Sequence, residues 1–244
     1  MSTTQPNISV ALAIHNRGED GYTYLKQILD SLKAQTSKNF ELVISDESER
    51  SDYKELIQQY NNFLEIKHIL RDEKSLGGNV NNAIKNSSGK VIKILCSDDL
   101  IVSKNMIKRT EKSFRDESLM WLLYSSLDFD YVDEFTNKLN IVGHRVPKWN
   151  DDIIYGFNTI SGLSVISFRN NENIFYDENL RLYIDVDLYY FLKQTYGMPK
   201  IIKNHMIANR SHPDQDQRKV TDEEKKAELQ YLVKKYKLKE IKIF

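Results

Sequence analysis

Apolar positions change their period along the chain, and the first hundred residues do so in strict alternation. Ile8 to Ile14 (ISVALAI) is a short apolar run, as expected of a strand buried on both faces. The polar stretch Asn16, Arg17, Gly18, Glu19, Asp20 and Gly21 follows as a loop. Leu25, Ile28, Leu29 and Leu32 then recur at helical spacing and predict a helix through about Ala34. Phe40 to Ile44 reads as a second strand, and Tyr53, Leu56, Ile57 and Tyr60 mark a second amphipathic helix. Ile66 to Leu70 is the third strand, Asn79 to Lys85 a short helix and Val91 to Leu95 the fourth strand. Ser103 is placed to cap a helix running to about Phe114. Strand and helix in alternation predict an α/β fold with a mostly parallel central sheet and crossover helices. Ligands of such sheets collect at the carboxyl ends of the strands. The chemistry is therefore expected in His15-Asn16-Arg17, Ser45-Asp46-Glu47 and Ser97-Asp98-Asp99.

The second half is less regular. Trp121 to Leu127, Lys138 to Val142, Leu163 to Phe168 and Lys200 to Ile207 read as strands. Asp185 to Tyr196 reads as a helix stopped by Gly197 and Pro199. Asp222 to Lys237 is a charged helix, followed by an extended end, Glu240 to Phe244. With no internal repeat or low-complexity linker, the simplest organisation is one domain over 1–215 and a helical tail over 216–244. Within the domain, 1–100 forms a ligand-binding half and 101–215 a second half.

Composition narrows the functional classes. Lys+Arg and Asp+Glu both number 35 in 244 residues, so the formal charge is zero. No bulk positive charge is available to displace the counterions of a nucleic acid. The single cysteine, Cys96, excludes an intrachain disulfide framework and a cysteine-rich zinc site. No apolar run reaches the 18 or so residues of a membrane span, and Met1 to Asn7 lack a basic segment before an apolar core. A cytoplasmic location is the expectation, with at most peripheral membrane contact through the Lys-rich tail, whose helix reads as a solvated face.

The turn after the first strand carries Glu19 and Asp20 in place of a glycine fingerprint, which disfavours a dinucleotide-binding dehydrogenase. No phosphate-binding P-loop, nucleophile elbow or paired-histidine zinc motif occurs. Gly77-Gly78-Asn79 reads either as a phosphate approach or as a plain turn before a helix. Asp98 and Asp99 follow a buried strand directly, and like charges side by side call for a cation or another positive partner. Oxygen ligands of this kind suit Mg2+ or Mn2+ bridging to a diphosphate, while the plain alternative is a capped turn.

In combination these segments resemble the family 2 inverting glycosyltransferases of the GT-A fold. The opening strand ends in His15-Asn16-Arg17, where the family has Tyr-Asn-Arg. Leu32-Lys33-Ala34-Gln35-Thr36 and Asn39-Phe40-Glu41 match its "SL-x-x-QT…NFE" stretch. Ser45-Asp46-Glu47-Ser48 stands at its Asp-Asp-Gly-Ser, and Leu95-Cys96-Ser97-Asp98-Asp99 at its Leu-Asp-Ser-Asp-Asp. Phe175-Tyr176-Asp177-Glu178 with Ile184-Asp185-Val186-Asp187-Leu188 is similar to "F-D-E…E-D-x-D-L", and Arg210-Ser211-His212 to a late "R-x-H".

The resemblance implies sugar transfer from a nucleoside diphosphate sugar, in particular a UDP-sugar, to a glycan or lipid-linked acceptor, as in polysaccharide biosynthesis. It implies Asp185 as catalytic base. His15, Asn16, Arg17, Asp46, Gly78, Asn79, Asn82, Ser97 and Asp98 would bind the donor, and Asp99 and His212 would stand at an Mn2+ or Mg2+ site. Trp149, Gly162 and Ser164 are expected to line the acceptor site. Asp185 at a helix start is expected to have its charged form favoured by the dipole, Asp187 to be solvated, His68 to be a packing residue and Cys96 a small buried one. A nucleotidyltransferase and a non-catalytic nucleotide-sugar or glycan-binding module are the alternatives.

Overall fold

The computed structural model describes residues 7–133, 135–136, 138–212, 215 and 218–239. In chain order the elements are β1 Ile8–Ile14, α1 Asp20–Lys33, β2 Phe40–Asp46, α2 Ser51–Tyr60, β3 Glu65–Leu70, α3 Leu76–Lys85, β4 Val91–Cys96 and β5 Leu100–Ile101. They continue as α4 Met106–Ser113, β6 Trp121–Val132, β7 Leu139–Arg145, β8 Ile166–Arg169, α5 Ile184–Tyr196, β9 Lys200–Arg210 and α6 Asp222–Lys235. Single 3₁₀ turns lie at Asp151–Tyr155 and Leu163–Val165.

Among the described residues the strands form one curled sheet in the order β3-β2-β1-β4-β8-β6-β9-β5, with β7 hydrogen-bonded to the outer part of β6. The first four strands pair in parallel, as the alternation predicts. Antiparallel pairing enters with β8, and β6 and β9 run parallel again. Leu25, Ile28, Tyr53, Leu56 and Ile107 of α1, α2 and α4 cover one face. Val80, Ile84, Leu188, Leu192 and Leu232 of α3, α5 and α6 cover the other. No helix among the described residues is long and apolar enough to cross a membrane.

The polar residues of the "QT…NFE" stretch turn out to be structural. Gln35 donates through Nε2 to the Ser31 and Ser103 carbonyls, and its Oε1 accepts the Ile107 N–H, tying α1 to α4. Glu41, 6% exposed, accepts from the Ser9 hydroxyl, the Ser88 N–H and hydroxyl, and the Gly89 N–H. One buried carboxylate thus fixes the turn that feeds β4. Gly89 is required there because a Cβ would lie 2.5 Å from Ser9 N.

Several boundaries differ from the sequence reading, each for a local reason. α3 starts at Leu76, so Gly77 and Gly78 lie inside its first turn and not in a turn before it. Ser75 supplies the cap, its Oγ accepting the Gly78 N–H at 3.1 Å. A Cβ on Gly77 would meet Glu178 Cα and Ile184 Cδ1 at 3.1 Å, so α3 approaches the segment before α5 too closely for a larger residue. α4 begins at Met106 without a side-chain cap, because Ser103 Oγ instead faces the Asn105 N–H within the preceding turn. A 3₁₀ turn replaces the first part of the predicted 163–168 strand. The two-residue β5 had no signal of its own. The predicted extension Glu240 to Phe244 lies outside the described residues.

The tail helix is not a simple solvated face. Leu229 and Leu232 are buried, each contributing on the order of 1.5–3 kcal/mol. Lys235 reaches into the body of the protein, with Nζ 2.7 Å from Asp187 Oδ1 and 2.7 Å from Asp177 Oδ2. Asp187, expected in solvent, is 3% exposed and also accepts from the Tyr236 hydroxyl at 2.8 Å. Its burial against α6 could not be seen from its place at a helix start.

Candidate active site

The carboxyl ends of β1 and β4, the first turn of α3 and the start of α5 converge on one cavity of about 740 Å3. His15, Asn16 and Arg17 line it from the β1 loop, and Ser97, Asp98 and Asp99 from the β4 loop. Asn79, Gly162, Asp185 and Arg210 complete the walls that concern the chemistry. The topology thus brings segments 170 residues apart in sequence to one place, as the rule for strand ends requires.

On the β4 side, Asp98 Oδ2 lies 3.1 Å from Arg17 NH2 and 3.0 Å from His212 Nε2. His212 Nε2 is also 3.1 Å from Arg17 NH1, and one ring nitrogen cannot donate to the carboxylate and accept from the guanidinium at once. Burial alone would raise the Asp98 carboxyl, but the His212 hydrogen bond and the Arg17 charge outweigh it and hold the group below the usual range. Asp99 moves the other way: burial and the adjacent Asp98 charge raise it. Asp99 Oδ1 accepts the Arg210 N–H at 3.2 Å. Arg210 is itself pinned, with its guanidinium 3.9 Å from the Tyr24 ring centre and 4.5 Å from that of Phe129. Arg17 Nε donates to Ser97 Oγ at 2.8 Å, so the loops after β1 and β4 are cross-tied.

The cavity is also lined by Asp185, second residue of α5 and 7% exposed. Its Oδ1 accepts the Val186 N–H at 2.8 Å and its Oδ2 the Asn158 amide at 2.9 Å. Burial pushes its carboxyl up to about 7 against these bonds. Desolvation therefore wins over the helix dipole, contrary to the expectation from its position. Asn158 had no sequence signal, since it comes from a loop 27 residues upstream.

Other predicted residues lie around the cavity without lining it. Asp46 is 2% exposed, with His68 Nε2 at 2.8 Å from Oδ2 and the Ser48 N–H at 2.7 Å from Oδ1. His68 is thus Asp46's partner and not mere packing. Glu47, which the sequence reading placed in the same strand-end triplet as Asp46 without giving it a role, does line the cavity. Its Oε1 accepts from Arg71 and, at 3.1 Å, from the Ser75 N–H. Asn82 supports β2 by donating to Ser45 Oγ at 2.8 Å. Gly78 belongs to the α3 cap. Ser164 is fully buried beneath the site, its Oγ accepting the Cys96 N–H at 2.9 Å. Trp149 packs away from the cavity and donates to Asp151 at 2.7 Å. Cys96 is half-buried and lines the cavity, and desolvation raises its thiol far from the reactive range.

Two acceptor atoms of wall residues, Asn79 Oδ1 and Asn209 Oδ1, are buried with no hydrogen-bond partner among the described residues. Each amide nitrogen is committed: Asn79 to the Ile14 carbonyl at 2.9 Å, Asn209 to Ser126 and Ser161. Unpaired acceptors at such a place call for donors from a ligand.

Comparison with known proteins agrees with this architecture. Residues 9–158 match the sequence model described as Glycosyl transferase family 2. An uncharacterized glycosyltransferase of Methanocaldococcus jannaschii is 27% identical over 191 residues, covering 76% of this chain and 64% of that protein. Another from Rickettsia bellii is 26% identical over 188 residues, covering 73% of this chain and 26% of that protein. In three dimensions, S. aureus TarS 1-349 in complex with UDP-GlcNAc superimposes with a TM-score of 0.67 at 18% identity, over 88% of this chain and 61% of that one. Mannosyltransferase PcManGT from Pyrobaculum calidifontis, in complex with GDP-Man and Mn2+, gives 0.62 at 12%, over 87% and 59%. The chain therefore spans only part of each of these relatives. The strand-end cavity, the GT-A likeness and a family match over more than half its length lead to one assignment: the chain belongs to glycosyl transferase family 2.

Proposed function

We propose that this protein transfers a sugar from a nucleoside diphosphate sugar, in the first instance a UDP-sugar, to a hydroxyl of a glycan or lipid-linked acceptor with inversion. The observation that carries this reading is that one cavity is lined both by a buried carboxyl at about 7 and by a carboxylate pair at a strand end. A general base works best when its pKa lies near the working pH. Asp185 takes the acceptor proton, and Asn158 and the Val186 N–H hold its carboxylate in place. Asn79 and Asn209 accept hydrogen bonds from donor hydroxyls through their unpaired oxygens. Cys96 and Ile184, which depart from the family pattern, line the cavity as a raised thiol and an apolar side chain, and neither is given a chemical role.

The donor set suits a hard divalent cation. Asp99 is a carboxylate raised by burial and by the Asp98 charge, so it gains from a positive charge, and the remaining donors are Asp98 and the His212 imidazole. Among the described residues no group of three or more His, Cys, Asp or Glu stands ready as a cage, so the diphosphate itself would complete the coordination. A bound Mn2+ or Mg2+, held by Asp99 with His212 nearby, supplies neutralisation of the leaving diphosphate.

Binding is the first test. At a concentration 100-fold above its Kd, UDP with Mn2+ stabilises by about 2.7 kcal/mol. The melting temperature should rise by roughly 2–4 °C per kcal/mol. Absence of any shift with UDP, GDP or their sugars in Mn2+ would refute the reading. Within it, the imide N–H of uracil, which cytosine lacks, is assigned to Glu47 and not to Asp46, whose two oxygens are both occupied. UDP should bind more tightly than CDP, and Glu47→Gln should erase most of that preference, about 1–3 kcal/mol. Equal calorimetric affinities for UDP and CDP in the parent protein would remove the contact.

A further inference from the structure

The segment before α5 is held from outside the domain that carries the donor-side motifs. Three successive main-chain N–H groups, those of Arg181, Leu182 and Tyr183, converge on one carboxylate, Glu228 of α6. Its Oε1 accepts from Arg181 at 2.9 Å and Leu182 at 3.2 Å, and its Oε2 from Leu182 and Tyr183 at 3.0 Å each. A run of main-chain N–H groups makes an anion-binding concavity, and here the protein fills it itself. The same carboxylate sits ahead of the α5 N-terminus, where negative charge is favoured. Arg181, Leu182, Ile184 and Asp185 all line the cavity, so the clamped segment is cavity wall.

A second set of contacts fixes the other end of the same unit. Lys235 and Tyr236 bind the Asp187 carboxylate two residues after Asp185, while Lys235 and the Tyr231 hydroxyl bind Asp177 ahead of the segment. α6 itself is firmly started by a capping box between Thr221 and Glu224. The helix therefore grips the chain on both sides of Asp185 and makes no direct contact with that carboxyl group.

We propose that Glu228 is a positioning residue: α6 sets the place of the 181–183 wall and, through it, of the Asp185 carboxyl, so that the tail helix governs the acceptor side of the cavity and not the donor side. This rests on the reading of Asp185 as the base. A group displaced by an ångström from the reacting atoms loses rate steeply, whereas the residues assigned to donor and metal come from the loops after β1 and β4.

The full chain is compared with Glu228→Ala, Glu228→Gln and, as a control on the exposed first turn of α6, Glu223→Gln. Hydrogen exchange reads the clamp without any activity. The amides of Arg181, Leu182 and Tyr183 should exchange at least about tenfold faster in Glu228→Ala, those of Ser97 to Asp99 at the parent rate. UDP release from UDP-N-acetylglucosamine in Mn2+, with water as acceptor, should fall about 10–10²-fold, while calorimetric UDP affinity stays within about twofold. Glu228→Gln keeps the length but replaces one acceptor oxygen with a donor, and should show the same split. Should Glu228→Ala fail to fold, Glu228→Gln decides. Parent-like exchange at 181–183 in the variants would overturn the proposal. So would a lower melting temperature with unchanged turnover, since a merely structural contact predicts that. A parent protein that binds no nucleotide, with exchange still faster at 181–183 in the variants, would count against the functional reading and leave the clamp standing.

Discussion

Asp185→Asn is expected to lower sugar transfer by about 10²–10⁴-fold while leaving UDP and Mn2+ affinity almost unchanged. The carboxyl is 7% exposed and held by Asn158 and the Val186 N–H, so the isosteric amide fits the same space but cannot take a proton. The pH profile carries the same signature. With the carboxyl pushed up to about 7, activity of the parent should rise with pH and level off above that value. Stability moves in the opposite direction. An unfolded Asp loses its proton near pH 3.9 or so, whereas the folded one keeps it to about 7. Between those values the folded state binds more protons, so stability falls as pH rises, and the cost is complete above about 7. Asp185→Asn removes that cost, and should therefore melt higher than the parent at pH 8 and equally at pH 4. A dead variant that is also less stable at pH 8 would point to misfolding. A fully active one would end the role of Asp185 as base. Asp187→Asn is not an innocent neighbour for comparison, because it loosens Lys235 and Tyr236 and should lower the melting temperature first.

The sequence made the first half of the fold legible because each buried parallel strand is a short apolar run and each crossover helix an amphipathic one. One of the stretches that carried the family resemblance, Gln35 to Glu41, proves to be about folding: Gln35 ties α1 to α4 and Glu41 pins the turn before β4. Its polar residues stand out in sequence because they are buried and satisfied by main-chain groups, which few other residue types can do. Strand ends located the β1 and β4 loops, so the place of His15, Arg17, Asp98 and Asp99 on one cavity was legible from position alone. What was illegible is what depends on pairs. Asp46 and Glu47 are adjacent in sequence, yet one turns to His68 in the sheet and the other to the cavity. Asn158, Asn209 and Glu228 act through contacts across 27 to 83 residues of sequence, which no local period reveals.

The second large effect concerns the carboxylate pair. Asp99→Asn is expected to weaken UDP binding in Mn2+ by on the order of 10²-fold, down to the affinity of the parent in EDTA. Asp99 is the member with the larger unmet charge: Asp98 faces Arg17 and His212 directly, while for Asp99 burial and the Asp98 charge outweigh the Ser164 and Arg210 N–H hydrogen bonds and the Lys93 charge. Metal-free stability separates this from damage to the fold. Asp98 is held below its unfolded value, so it stabilises above that value and the benefit is lost as pH falls. Asp99 is raised, so it costs stability above its unfolded value. In EDTA at pH 8 the two neighbouring substitutions should therefore have opposite signs, with Asp98→Asn melting below the parent and Asp99→Asn above it. Adding Mn2+ and UDP should then reverse the order of the parent and Asp99→Asn, because only the parent gains the full binding energy. Equal UDP affinity of the parent in Mn2+ and in EDTA would show that the pair does not serve a metal at all. An Asp99→Asn variant that melts below the parent in EDTA would mean that Asp99 is compensated within the protein, and the assignment of the cation to it would fall.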